Sequence, residues 1–229
     1  MVKFRRLFPV LFVFPLSLGM LFGSFDLSTA LAVGESAAPM VIIDPGHGGE
    51  DAGAIGAQGT KEKDLNFAVA TALLERFREA GVHAILTRTE DTLVLKEGEN
   101  VKGQKKAKDL YNRAALAEAY PDATFISIHM NAYPVAKYRG LQVYYNKASA
   151  ESASLAKRIT DNVRKNLDPI YTRVPNFRGD ELYLLSHIKG CAVLVECGFL
   201  SNPEEEEKLL EKDYQNKLSF CIFYAMMEG

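Results

Sequence analysis

Short apolar runs alternate along the chain with segments whose apolar residues recur at helical spacing. Five runs predict strands, at residues 41–44, 82–87, 124–129, 141–145 and 191–196. Three segments predict helices, at residues 64–80, 109–120 and 151–166. A capping Asn202 followed by Pro203 marks the start of two final helices. This alternation predicts an α/β fold: a single three-layer domain with a mostly parallel central sheet flanked by helices.

Two stretches lack such a pattern and predict surface loops. Residues 92–108 are rich in Lys, Glu and Gly, and residues 168–180 contain Pro and Arg. Lysines of the first loop could bind acidic groups, although an ordinary solvated loop explains them as well.

The first 32 residues are predicted to lie outside the domain, which then spans residues 33–229. Basic residues near the start precede an apolar stretch, and Ala30-Leu31-Ala32 has the small-residue pattern that signal peptidase cleaves. A retained membrane anchor is the alternative, because the apolar stretch is about long enough to span hydrocarbon. Both interpretations predict an exported protein, either secreted or attached to the cell envelope.

Charge and cysteine content exclude two classes of protein. The net charge of the chain is −2, whereas a nucleic-acid partner would require a basic face. Of the three cysteines, Cys191 and Cys197 share a predicted strand. Their Cα atoms would be roughly 20 Å apart, far beyond the reach of a disulfide. The cysteines therefore do not form a disulfide framework.

Polar residues stand at the carboxyl ends of three predicted strands. His47 follows the first strand, His129 ends the third, and Glu196 ends the last. Ligands of open α/β sheets bind at this edge, and a polar group there is costly to bury unless it is bound. With Glu62, near the start of the first helix, the histidines form a two-His, one-Glu set. That set is common at catalytic zinc sites and leaves a position for water.

Each of these residues also has a structural alternative. A histidine after a strand is often simply hydrogen-bonded, Glu62 could be favoured by the helix dipole, and Glu196 could be paired with a cation. Together they favour a metal site, and two imidazoles favour zinc over magnesium or calcium. Glu196 would then act as the general base. Asp44 and Asn131 are candidates to orient the ligands.

Five motifs, in this order, resemble the zinc-dependent N-acetylmuramoyl-L-alanine amidases of the Amidase_3 type. They are DPGHGG at 44–49, EKDLN at 62–66, TR at 87–88, SIHMNA at 127–132 and ECGFLSN at 196–202. The resemblance covers residues 40–228. It implies zinc held by His47, Glu62 and His129, with Glu196 as the catalytic acid and base. It also implies hydrolysis of the amide between N-acetylmuramic acid and L-alanine in peptidoglycan.

Within the family, the chain most resembles the germination-specific amidases of spore-forming bacteria. It shares with them one N-terminal apolar segment and a Lys-rich insertion before the helix that carries Arg113. This implies a role in muramic-δ-lactam formation in the spore cortex, with a partner deacetylase. An activating protein is an alternative partner that the sequence leaves open. Glu118 departs from the family pattern, which usually has Asn there. Arg173 and Arg178 could contact carboxylates of the stem peptide, or be solvated loop charges.

Two alternative functions remain open. One is a general amidase that remodels the cell wall in growth or division. The other is a non-catalytic, peptidoglycan-binding regulator that has kept the fold. Degenerate relatives usually lose a ligand or the base, and all four residues are present here, which favours an active enzyme.

Overall fold

The computed structural model describes residues 40–178 and 181–229. Within these ranges the strands are β1 (Val41–Pro45), β2 (Ala84–Leu86), β3 (Thr124–Asn131), β4 (Gln142–Tyr145), β5 (Asn176–Phe177) and β6 (Ala192–Phe199). The helices are α1 (Glu62–Glu79), α2 (Lys105–Ala119), α3 (Ala150–Asn166), α4 (Tyr183–His187), α5 (Pro203–Leu210) and α6 (Lys212–Met227). None of these helices combines the length and the hydropathy of a membrane span. The predicted leader, residues 1–32, lies outside the described residues.

The strands form one mixed sheet in the order β2-β1-β3-β6-β4-β5. Strands β2, β1, β3 and β6 run parallel, whereas β4 pairs with β6 in the antiparallel direction. The carboxyl ends of β1, β3 and β6 therefore meet at one edge, and β4 begins there, with Gln142 opposite Glu196. The predicted, mostly parallel sheet is confirmed.

Helices cover both faces of the sheet. The larger apolar cluster packs α1, α3 and α6 against one face through residues such as Phe77, Ile159 and Ile222. A smaller cluster packs α2 and α4 against the other face, with Ala114 and Leu184 in contact with the sheet residues. Burial of these two apolar faces of the sheet is the main driving force for the layered arrangement. The predicted three-layer α/β domain is confirmed.

Several predicted boundaries were wrong by a few residues. Helix α1 begins at Glu62 rather than at residue 64, and α2 begins at Lys105, so the last turn of the predicted 92–108 loop is helical. Lys105 and Lys106 favour helix intrinsically, and their side chains pair with Glu50 and Asp51 of a neighbouring loop. Periodicity could not reveal those partners.

Two short elements were also missed in the second half of the chain. Strand β5 lies inside the predicted 168–180 loop, where it pairs with Tyr144 and Tyr145 of β4. The apolar run at 182–185 lies mostly in the short helix α4. Strand β2 covers residues 84–86, which is half of the predicted 82–87 strand.

Candidate active site

His47 lies in a tight turn just past the end of β1. Its φ angle is 62°, which makes it the one non-glycine residue with positive φ in the described part of the chain. Such a conformation costs about 1–3 kcal/mol and persists only where the surroundings enforce it. Gly48 and Gly49, with φ angles of 137° and 55°, complete the turn without that steric cost.

Two buried arginines hold the carbonyl groups of this turn. The Arg113 guanidinium, from α2, donates hydrogen bonds to the carbonyl oxygens of Pro45 and His47 at 2.9 and 2.7 Å. Arg88 donates to the carbonyl oxygens of Pro45 and Gly46 at 3.0 and 3.3 Å. These four bonds fix the backbone on both sides of the strained residue. The arginines therefore stabilise the conformation that directs the His47 imidazole.

Asp44 balances the charge of Arg113 in the interior. Its carboxylate lies 2.6 Å from the Arg113 guanidinium and accepts hydrogen bonds from the Thr87 and Ser127 hydroxyls, each at 2.6 Å. Burial raises the pKa of Asp44, but Arg113 and the two hydroxyls outweigh that effect and hold the pKa below its usual range. Asp44 was predicted to orient a ligand directly. It instead acts through Arg113, which binds the carbonyl of His47.

The three predicted ligand residues come together at the carboxyl edge of the sheet. Oε1 of Glu62 lies 3.1 Å from Nε2 of His47 and 2.9 Å from Nδ1 of His129. The two imidazole rings meet edge to face, with their centroids 5.0 Å apart. One donor atom from each residue lies within 4.8 Å of the others. The turn after β1, the first residue of α1 and the end of β3 thus build one cluster.

The cluster fits a small divalent metal. Tetrahedral zinc, with bonds of about 2.0–2.2 Å, holds its ligand atoms about 3.3 Å apart, close to the distances of 3.1 and 2.9 Å from Glu62 Oε1 to the two imidazole nitrogens. The backbone around the cluster leaves room for the ligand side chains because two of its residues are glycines. A Cβ atom on Gly46 would lie 2.3 Å from the His129 ring, and one on Gly53 would lie 2.5 Å from Glu62 Oε2. Gly46 and Gly53 are therefore required by the site, whereas Gly48 and Gly49 are required by the turn.

Asp51 orients the His47 imidazole, and the sequence did not reveal this role. Its Oδ2 lies 3.0 Å from Nδ1 of His47, which leaves Nε2 directed at Glu62. A carboxylate on the far nitrogen fixes the tautomer and ring orientation of a metal-binding histidine. Asn131, which was predicted for this role, instead donates to Oε1 of Gln142 at 2.7 Å. The signal for Asp51 was its position four residues after His47, in a glycine-rich loop.

The charges within the cluster are mutually stabilising. Burial lowers the pKa of His47, but hydrogen bonds and charge from Glu62 and Asp51 outweigh it and raise the pKa above its usual value. Burial raises the pKa of Glu62, but hydrogen bonds with His129 and His47 outweigh it and hold the pKa far below its usual range. Glu62 is therefore ionised, as a metal ligand requires.

Backbone groups and a distant carboxylate position Glu62. Its Oε2 accepts from the N–H of Ala54 at 2.7 Å, and its Oε1 accepts from the N–H of Met130 at 3.1 Å. The loop leading to it is held by Glu206 of α5, whose carboxylate oxygens both accept from the N–H of Gln58 at 3.1 Å. The sequence identified only Asn202 and Pro203 as signals of the start of α5, so this anchor was missed.

Glu196 stands beside the cluster on β6. It pairs with His129 in the ladder between β3 and β6, and its Oε2 is buried without a hydrogen-bond partner among the described residues. Burial raises the pKa of Glu196 to about 7, while His129 and His47 lower it and Glu62 raises it by smaller amounts. A carboxyl group that titrates near neutral pH can both accept and donate a proton. Its position and its protonation suit an acid-base role.

An α/β sheet that carries two histidines, a glutamate and a second carboxyl group at its carboxyl edge has the arrangement of a metal-dependent hydrolase. The family model of N-acetylmuramoyl-L-alanine amidases, Amidase_3, matches residues 41–228. The chain belongs to this family, whose members act on peptidoglycan. The predicted family and enzyme class are confirmed.

Individual relatives agree with this assignment. The germination-specific N-acetylmuramoyl-L-alanine amidase of Bacillus subtilis is 36% identical over 188 residues, which are 82% of this chain and 78% of the relative. The CwlD amidase of Clostridioides difficile, solved in complex with the GerS lipoprotein, is 36% identical with a TM-score of 0.78, covering 82% of this chain and 96% of that one. AmiC2 of Nostoc punctiforme is 29% identical with a TM-score of 0.69, covering 84% and 97%. The predicted resemblance to the germination-specific amidases is confirmed.

Proposed function

We propose that this chain is a zinc-dependent hydrolase of the amide between N-acetylmuramic acid and L-alanine in peptidoglycan. His47, Glu62 and His129 would hold the zinc, and Glu196 would act as the catalytic acid and base. One observation carries the proposal. The three donor atoms converge within 4.8 Å, and a partly buried carboxyl group pairs with one of them on the adjacent strand.

The chemistry divides between the metal and the protein. Bound zinc would supply a Lewis acid for the scissile carbonyl and for the attacking water. Glu196 would accept a proton from that water and deliver it to the amine nitrogen of L-alanine as the amide bond breaks. Asp51 would keep Nε2 of His47 free of its proton. The edge of the sheet would thereby bring the acid-base group and the zinc to the same bond of the substrate.

The first test is a digestion of purified peptidoglycan. The zinc-loaded chain is expected to release stem peptides that begin at L-alanine, detected by mass spectrometry of the soluble products. Removal of the metal with a chelator should abolish the release, and added zinc should restore it. Release of peptides with other amino termini would contradict the proposed bond. No release by a chain with bound zinc would favour a non-catalytic binding role or a missing activator.

The ligand assignment has its own test, which does not depend on activity. His129→Ala is expected to lower the zinc content from one ion per chain to well below one, because two protein ligands hold zinc far less tightly than three. Elemental analysis after dialysis against zinc-free buffer measures this. His83→Ala is the matched control, since His83 is exposed and lies away from the cluster. Equal zinc content in both variants would contradict the assignment.

We further propose that the enzyme acts outside the cytoplasm in spore cortex formation, where a partner deacetylase would complete the conversion to muramic-δ-lactam. The similarity to a germination-specific amidase supports this role. In a spore-forming host that lacks its own such amidase, expression of this chain should restore muramic-δ-lactam to the cortex. If the chain corrects cell-separation defects but does not restore muramic-δ-lactam, the result would instead favour the alternative role in growth or division.

An activating partner forms part of this proposal. The related CwlD amidase was solved in complex with a lipoprotein, and we propose that this chain also works with an envelope protein.

The N-terminal segment, residues 1–32, would export the chain, by cleavage as a signal peptide or by retention as a tether. Comparison of the intact mass of the exported protein with that of the full chain distinguishes the two.

A further inference from the structure

A cleft of about 450 Å³ opens at Gln142, the residue that pairs with Glu196, and the proposed chemistry makes no use of it. The ends of β3 and β6 and the first residues of β4 form one side. The predicted loop at 168–180 supplies the other side, through Arg173 and Arg178. These two arginines are the charged side chains among the described residues that line the cleft. The cleft is therefore positive, although the chain as a whole is slightly acidic.

The floor of the cleft leads directly away from Glu196. Gln142 is paired with Glu196 across β4 and β6, and its Oε1 accepts hydrogen bonds from Nδ2 of Asn131 at 2.7 Å and from the Tyr144 hydroxyl at 3.0 Å. Gln142 and Tyr144 are alternate residues of one strand, so their side chains share a face. A molecule bound at Glu196 can thus extend along β4 toward Tyr144.

Aromatic rings support both arginines. The guanidinium carbon of Arg173 lies 5.3 Å from the Phe199 ring centroid, and that of Arg178 lies 5.3 Å from the Tyr144 ring centroid. A guanidinium packed on a ring keeps its N–H edge available for a planar anion. Arg178 also pairs with Glu181 at 3.2 Å, both side chains being largely exposed. Arg173 donates a hydrogen bond to the backbone carbonyl oxygen of Arg139, and a carbonyl group carries no net charge. The charge of Arg173 is therefore less compensated than that of Arg178.

The spacing suits an acidic group close to the scissile bond. In a stem peptide whose second residue is a glutamate linked through its side chain, that residue keeps a free α-carboxylate. That carboxylate lies about 7 Å from the scissile carbonyl carbon in an extended peptide. Two residues of a strand, the step from Gln142 to Tyr144, also span about 7 Å.

We propose that Arg173 and Arg178 together bind the α-carboxylate of the second stem-peptide residue and so select substrates in which this group is not amidated. The inference rests on the proposed amidase function and adds a specificity-determining subsite to it. The charge of the arginines, their aromatic support and their place in a cleft lined by Gln142, which pairs with Glu196, together carry it.

The test uses two soluble muropeptides that differ only in this carboxylate, which is free in one and amidated in the other. We expect wild-type kcat/KM to be about 10–100-fold higher for the free carboxylate, the range of a charge-assisted hydrogen bond. Arg173→Met should remove most of this preference, mainly through KM, with zinc content unchanged. Arg173→Lys should retain part of it. Arg78→Met, which changes an exposed arginine of α1, is the matched control and should keep the full preference.

Equal turnover of the two muropeptides by the wild-type chain would overturn the inference, as would a preference that survives Arg173→Met. If the chain digests intact peptidoglycan but neither soluble muropeptide, the same variants are compared on amidated and unamidated peptidoglycan, and the same two outcomes decide. Absence of amidase products from every substrate would instead count against the proposed function. The two failures are therefore distinguishable.

Discussion

Glu196→Gln is expected to lower kcat for amide hydrolysis by about 10²–10⁴-fold, the usual contribution of a positioned acid-base group. The substitution keeps the size and shape of the side chain but removes its ability to exchange a proton. Oε2 of Glu196 has no hydrogen-bond partner among the described residues, so the change breaks no structural contact of that atom. Zinc content and the free energy of unfolding should stay close to those of the wild type.

Rates of peptide release from peptidoglycan at saturating substrate measure this effect, together with zinc content by elemental analysis. Glu207→Gln is the matched control, because Glu207 is an exposed glutamate of α5 and its change should leave kcat unaltered. A Glu196→Gln enzyme with full zinc content and a kcat within threefold of wild type would contradict the acid-base role. Loss of zinc together with activity would indicate instead that Glu196 supports the metal site.

Asp44→Asn is expected to lower the free energy of unfolding by about 3–5 kcal/mol, the range for breaking a buried ion pair from one side. Arg113 is 1% exposed and would keep Asp109, at 2.9 Å, as its remaining carboxylate partner. The Thr87 and Ser127 hydroxyls would lose a charged acceptor. Since Arg113 holds the carbonyl of His47, zinc affinity should fall along with stability.

Acid titration of stability gives an independent check on the state of Asp44. Its native pKa lies below the value of about 3.9 found in unfolded chains. Between the two values the unfolded state binds more protons, so stability from this group is complete above about pH 5 and is lost progressively as pH falls through the native pKa. As the pH falls through this range, the wild type should therefore lose the stability contributed by Asp44, whereas the Asp44→Asn variant should show no such loss.

Urea unfolding at pH 7 and at lower pH measures both effects. Asp161→Asn is the matched control, because Asp161 pairs with Lys157 and Arg164 at the exposed surface of α3. Such surface pairs contribute about 0–1 kcal/mol, so that variant should unfold nearly as the wild type does. A loss of stability as small for Asp44→Asn as for the control would show that the interior tolerates Arg113 with Asp109 as its remaining carboxylate partner.

The sequence predicted the sheet and the candidate ligands for the same physical reason. Buried strands of a parallel sheet are nearly continuous apolar runs, so a polar residue directly after one, such as His47 or His129, stands out in a single sequence. The carboxyl ends of parallel strands share an edge, which allowed residues 82 positions apart in the chain to be assigned to one site. Glu62 was found because its helix follows the first of these strands.

Residues that act through long-range contacts were not predictable in this way. Glu206 binds the N–H of Gln58 across 148 positions of sequence, and neither residue breaks the local pattern of its own element. The pairing of Lys105 and Lys106 with the loop after β1 likewise leaves no periodic signal. Asp51 resembled any loop carboxylate until the turn at His47 was known. Local patterns specify elements, whereas contacts between loops depend on the assembled fold.

The anchoring of the Gln58 loop by Glu206 has a consequence for the order in which the site is assembled. All three proposed ligands lie before residue 130, but Glu196 and Glu206 belong to the last 34 residues of the chain. A chain still emerging from the ribosome therefore carries all three proposed metal ligands before it carries the proposed proton-transfer group or the loop anchor. Metal binding by those three residues would not be enough for hydrolysis, which also requires Glu196 and the anchoring of the loop by Glu206.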